Sequence, residues 1–207
     1  MSGGERVSNY ELTKGRMARR FLDYDQEEMI RRFRLDSDQD WIRVRLLGRT
    51  YEISRAGGTV YVAAGGERAE AGFNEAMTLY DVLCGGKRDA ALSGELVKVE
   101  GLVSAASTPS GELFGGRART FDGREGALAR ACEALGGEAF GKGDVAYRLP
   151  LFDFLPVVFQ FWRSDDEFPA SIQLLWDRNT TDFMHFETVW YAAGHVLDRL
   201  TELVSEG

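Results

Sequence analysis

Apolar positions recur along this chain with two different periods, and each change of period marks an element. Over Tyr10 to Leu22 and Gln26 to Arg34 they fall at helical spacing, so that Phe21, Met29, Ile30 and Phe33 face inward. Asp25, with Glu28 three residues later, forms a capping box that starts the second of these helices. Trp41 to Leu47, Thr50 to Ser54 and Thr59 to Ala63 alternate instead, separated by Gly48-Arg49 and Ala56-Gly57-Gly58, which predicts an antiparallel meander. Helical spacing returns over Phe73 to Cys84, stopped by Gly85-Gly86, and over Arg124 to Leu135, stopped by Gly136-Gly137. Leu96 to Val103 reads as extended. Ser104 to Gly123, rich in Ser, Gly and Thr, reads as a mobile loop placed to act as a lid, and residues 1–8 read as disordered.

The last quarter carries the strongest pattern. Pro156 to Trp162 and Ala170 to Trp176 form a hairpin in which Phe159 lies opposite Leu174, Phe161 opposite Ile172 and Val157 opposite Trp176, giving one wholly apolar face. The other face pairs Gln160 with Gln173, Trp162 with Ser171 and Val158 with Leu175. From Asp182 to Val204, a stripe of Phe186, Val189, Trp190, Ala193, Val196, Leu197 and Leu200 predicts a long amphipathic helix lying on the sheet. The expected fold is therefore a single α+β domain over residues 1–207, an antiparallel sheet with N-terminal helices and this C-terminal helix packed on it.

Composition narrows the function classes. A chain of 207 residues buries a full core without staples. Its two cysteines, Cys84 and Cys132, lie far apart, and no apolar leader follows Met1, so the reading is a cytoplasmic protein without a disulfide framework. The longest apolar run, Leu149 to Trp162, is broken by Pro150, Asp153, Pro156 and Gln160 and is too short to span a membrane. Net charge is -8. The arginines of residues 1–55 are matched by nearby acids, which leaves no uncompensated basic stripe for nucleic acid.

Candidate chemistry gathers in the same last quarter, which holds both histidines, but no complete catalytic signature is present. On one helix His185 and His195 diverge by roughly 80° and lie about 15 Å apart, too far to share a metal ion, and no metal site is expected. His185 flanks the apolar stripe within reach of Asp177 or Asp182, whereas His195 points away from the core beside Glu187, Tyr191 and Asp198. Asp36-Ser37-Asp38-Gln39-Asp40 lacks the glycine and closing glutamate of a calcium loop, since Trp41 and Leu47 stand there. Gly136 to Gly143 lacks the Ser/Thr and the following helix of a phosphate loop.

Phe73-Asn74-Glu75-Ala76-Met77-Thr78-Leu79-Tyr80 with Leu83, Ser93-Gly94-Glu95-Leu96-Val97, Gly143-Asp144-Val145-Ala146, and above all Pro156, Phe161-Trp162, Asp165-Asp166-Glu167-Phe168-Pro169 and Leu175-Trp176-Asp177 occur in this order. Taken together they resemble the prokaryotic family of domain of unknown function thirty-seven eighty-six over nearly the whole chain. The resemblance implies a neighbourhood of corrinoid, one-carbon or low-potential redox metabolism, often in anaerobes, because members occur alone or behind an iron-sulfur domain. It carries no catalytic residues, and with two cysteines this chain holds no iron-sulfur cluster itself.

The preferred reading is a ligand-binding or accessory module for an unknown small molecule or partner protein. In it Trp162, Tyr147 and Phe152, with His185, receive a flat cofactor such as a tetrapyrrole or corrinoid. The alternatives are a small hydrolase or isomerase using His185 with Asp182 or Asp177 as an acid-base pair, and a homodimer formed through the Tyr191/His195 face.

Overall fold

The computed structural model describes residues 8–64, 67–103 and 114–206. Helix α1 spans Asn9–Phe21 and α2 spans Gln26–Phe33, capped by the side chains of Ser8 and Asp25. A meander follows: β1 (Asp36–Ser37), β2 (Trp41–Leu46), β3 (Arg49–Ser54), β4 (Val60–Ala64) and β5 (Glu67–Glu70) form one antiparallel sheet in chain order. Then come α3 (Phe73–Gly85), β6 (Leu96–Lys98), α4 (Gly115–Ala118) and α5 (Glu125–Ala134). Strands β7 (Glu138–Ala139), β8 (Val145–Phe152), β9 (Leu155–Trp162) and β10 (Ser171–Asp177) join β6 in a second antiparallel sheet, ordered β6-β10-β9-β8-β7. Helices α6 (Thr180–Phe183) and α7 (Phe186–Glu206) close the chain.

The α+β class, the N-terminal helices and the long C-terminal helix thus stand as the sequence predicts, with the strands divided between two sheets. The β9–β10 register is the expected one at every pair, from Trp162 opposite Ser171 to Val157 opposite Trp176. Its apolar face is buried: Val157, Phe159, Phe161, Leu174 and Trp176 are all nearly inaccessible, and Phe121 meets Phe159 and Phe161 edge-on with ring centroids 6.3 Å away. Aromatic side chains bury the most area per residue, so this layer anchors the second sheet.

Two expectations about the connecting segments need correction. Leu96 to Val103 is extended only as far as Lys98, after which Val99–Leu102 makes a 3-10 turn. A turn of three residues carries Val99 and Leu102 to the same side, and both are buried. Of the loop expected over 104–123, residues 104–113 lie outside the described residues, as do 1–7 of the expected N-terminal tail. The remainder, from Phe114 onward, is a helical turn that buries Ala118 and Phe121 against the second sheet.

Helix α7 departs most from the sequence reading. Besides the apolar stripe, Thr188, Ala192, His195 and Arg199 are buried as well. Helices α3 and α5 both pack against α7, and β3 of the first sheet reaches it through Tyr51. A helix with neighbours on several sides keeps only a narrow exposed edge, here Glu187 and Asp198, so a one-sided helical wheel misplaces polar residues such as His195. No helix among the described residues is long and apolar enough to cross a membrane.

Candidate functional site

Phe73 and Tyr191 bring α3 and α7 into contact, ring edge against ring face at 5.3 Å, and below them a cleft of about 360 Å³ opens. Its floor is polar. His195 of α7 is 2% exposed and its Nε2 lies 3.3 Å from the hydroxyl of Tyr51 on β3. That hydroxyl donates to Glu75 Oε1 of α3 at 3.2 Å. Burial, then the charge of Glu75, pushes the Tyr51 phenol up, which keeps its proton in place as the donor. With that hydroxyl committed to Glu75, His195 donates through Nε2–H, a tautomer assigned from the hydrogen-bond order. His195 Nδ1, the unprotonated nitrogen, stands 3.8 Å from Glu75 Oε1, beyond hydrogen-bond reach.

One helical turn further along α7, Arg199 lines the same cleft and is 7% exposed. Its Nη1 is held by Glu202, which also accepts from Arg49 at the start of β3. Its Nε is buried and has no hydrogen-bond partner among the described residues. A buried guanidinium N–H left unpaired costs about 1–3 kcal/mol, so a folded chain retains one where something else satisfies it. Spacings of four and three residues put His195, Arg199 and Glu202 on one helix face. Gly194 faces α3 as well: a Cβ there would stand 2.9 Å from Asn74 Nδ2, a contact that a turn of the Asn74 side chain relieves.

Desolvation, and after it the positive charges of Arg199 and Arg49, press the His195 pKa down from 6.5 to about 3. His195 is therefore a neutral imidazole across the physiological range. The sign of its contribution follows: the unfolded chain binds the imidazole proton below about 6.5 while the folded chain refuses it until about 3. Stability is then lost progressively as pH falls through that window. His195→Gln is expected to flatten this part of the stability-pH curve, as measured by urea midpoints between pH 7 and pH 4.

The residues singled out from sequence lie elsewhere. His185 precedes α7 and its side chain is 69% exposed. It bonds neither Asp177 nor Asp182; Asp81 of α3 accepts from its backbone N–H at 2.7 Å and meets its Nδ1 at 2.6 Å. Asp182 pairs with Lys87 at 2.6 Å. Asp177, 3% exposed at the end of β10, accepts from the backbone of Ser93, Gly94 and Asn179 and from the Ser93 hydroxyl. The three expected acid-base groups are thus separately engaged. The expected solvent or subunit role of His195 is overturned by its burial, and with it a homodimer face that uses this side chain.

The aromatic pocket does not assemble either. Tyr147 lies opposite Phe159 and Trp162 opposite Ser171, so alternation along β9 puts them on opposite faces of the second sheet. Phe152 is buried in the core, stacked on Phe154 at 5.1 Å. These three side chains and the exposed His185 do not fit a flat tetrapyrrole or corrinoid. The cysteines offer no nucleophile in its place, since burial pushes the thiols of Cys84 and Cys132 up to about 12.

Fold and cleft together define an α+β protein of two antiparallel sheets with a charged, helix-walled cavity above a neutral buried histidine. Its family follows from comparison: the model of the domain of unknown function DUF3786 matches residues 25–199, and the chain belongs to that family. None of the curated proteins and none of the solved structures matches it. The matched stretch takes in Tyr51, Glu75, His195 and Arg199, while Glu202 lies just beyond it.

Proposed function

We propose that this chain is a small-molecule binding module whose ligand enters the α3–α7 cleft and presents an acidic group to Arg199 and Arg49. The observation that carries this reading is the unpartnered Nε of a nine-tenths-buried arginine in the wall of an open cavity. Glu202 already shows the chemistry that suits the place: one carboxylate held by both arginines. Its side chain is 36% exposed, so it can turn to solvent and leave the guanidinium fork to a ligand.

Binding is favoured over catalysis by what lines the cleft. Among the described residues, the lining apart from His195 and the carboxylates is arginine, asparagine and aromatic rings, without a serine, threonine, cysteine or lysine to attack a substrate. A histidine whose pKa has been driven to about 3 is a weak general base near neutrality. It serves better as a fixed polar surface.

Arg199→Met gives the test, because methionine fills much of the same volume without a charge. A screen of small organic anions by thermal shift is expected to yield stabilising compounds with the wild-type chain. The variant should bind them about tenfold to a hundredfold more weakly, the worth of one charge-assisted hydrogen bond. The ligand-free variant loses the Glu202 ion pair along with the unsatisfied Nε–H, so its melting temperature and circular dichroism are the control for folding. Equal binding by the two proteins contradicts the proposal.

A further inference from the structure

The cleft holds a second unsettled charge, of the opposite sign. Glu75 is largely buried, its side chain 17% exposed. Its neighbours among the described residues are the Tyr51 hydroxyl, a neutral donor, and His195, which is neutral too. No arginine or lysine among the described residues lies within ion-pair distance of it. The arginines of the cleft are drawn instead to Glu202, a few residues along α7. The first turn of α3 gives Glu75 a partial positive charge, but no formal one. The cleft therefore carries both signs: a guanidinium with an N–H to spare and a carboxylate without a cation partner among the described residues.

Aromatic rings line the same cleft. Tyr10 meets Phe73 edge-on at 4.8 Å and Phe73 meets Tyr191 edge-on at 5.3 Å, and all three line the cavity. Tyr10 is 63% exposed, which leaves an apolar rim open to solvent. A cleft of about 360 Å³ falls within the range of small-molecule sites, roughly 300–1,000 Å³.

We infer that the ligand is a free α-amino acid with an apolar or aromatic side chain. Its carboxylate takes the place of Glu202 on Arg199 and Arg49, its ammonium neutralises Glu75, and its side chain lies against Phe73 under Tyr10 and Tyr191. This inference rests on the cleft reading of the preceding section and names the ligand class for it. The balance of charge decides between amino acid and plain anion. Glu75, Glu202 and Asp198 line the cavity along with the two arginines, so a phosphate dianion meets repulsion from three carboxylates, whereas a zwitterion answers both signs.

The experiment is isothermal titration calorimetry of the wild-type chain with four probes: L-phenylalanine, 3-phenylpropionate, which lacks the ammonium, 2-phenylethylamine, which lacks the carboxylate, and inorganic phosphate. L-Phenylalanine is expected to bind at least tenfold more tightly than either truncated probe, with phosphate weaker still. In Glu75→Gln, which keeps an acceptor for Tyr51, the advantage of L-phenylalanine over 3-phenylpropionate should shrink to within about twofold, with folding checked by circular dichroism. Equal affinity for L-phenylalanine and 3-phenylpropionate in the wild type overturns the amino-acid assignment while leaving an anion-binding cleft intact. Silence from all four probes overturns the assignment as well, and the organic-anion screen with Arg199→Met then decides separately whether the cleft binds anything.

Discussion

Trp176→Ala is expected to cost about 4 kcal/mol, at the upper end for a core truncation. Trp176 is 1% exposed in β10, the strand between β9 and β6, directly opposite Val157 and Val97. Removing the indole leaves a cavity that a strand hydrogen-bonded on both sides cannot collapse, so lost transfer energy and lost packing add. Equilibrium urea unfolding measures the effect as a lower midpoint with an unchanged slope. A loss below about 1 kcal/mol would mean that the second sheet does not bury this ring. A domain of this size has roughly 5–15 kcal/mol in all, so the variant remains folded but marginal.

The second large effect lies one residue on. Asp177→Asn is expected to lose about 3 kcal/mol, because the carboxylate accepts three backbone donors and one hydroxyl, while an amide offers a single acceptor oxygen. Those donors come from the segment before β6 and from the turn after β10, so Asp177 ties the two together. Burial alone would raise its pKa, but the N–H groups of Ser93, Asn179 and Gly94 outweigh it and hold the group below the usual carboxylate range. Its stabilisation is accordingly complete above the unfolded value of about 3.9 and lost as pH falls through the lower folded value. Wild type and Asp177→Asn should therefore differ fully at pH 7 and converge only in strong acid, by urea midpoints at each pH. A constant difference down to about pH 2 would contradict this role for the carboxylate.

Both effects fall where the sequence was most readable. Strict alternation in Pro156 to Trp162 and Ala170 to Trp176 leaves one register that keeps Phe159, Phe161 and Trp176 on a single face, since a slip of one residue exposes all of them. The capping residues of α2 and the glycines after α3 and α5 are equally local, and they marked element ends to within a residue or two. The division of the strands into two sheets was not legible, because it depends on long-range contact such as Leu47 N–H to the Leu151 carbonyl at 3.0 Å.

The cleft was harder to find for a related reason. Tyr51, Glu75 and His195 come from three elements widely separated in sequence, and nothing local announces their meeting. A helical wheel assigned His195 to solvent because it assumed one buried face, whereas α3 and β3 cover that side. One signal did stand in the sequence: His195, Arg199 and Glu202 repeat at spacings of four and three, a polar stripe with both signs of charge beside an apolar one. In the turn between β9 and β10, Asp165 accepts from the backbone N–H groups of Glu167 and Phe168, as a turn-forming aspartate does.

The most direct test of the cleft is a nitrogen-15 correlation spectrum of the wild-type chain titrated with whichever small organic anion stabilises it most. Shifts confined to Gly72–Glu75, Arg49–Tyr51 and the α7 segment from Tyr191 to Glu202, together with a new resonance position for the Arg199 Nε–H, are the predicted result. Shifts centred on Trp162 or His185, with Arg199 Nε–H unmoved, would contradict it.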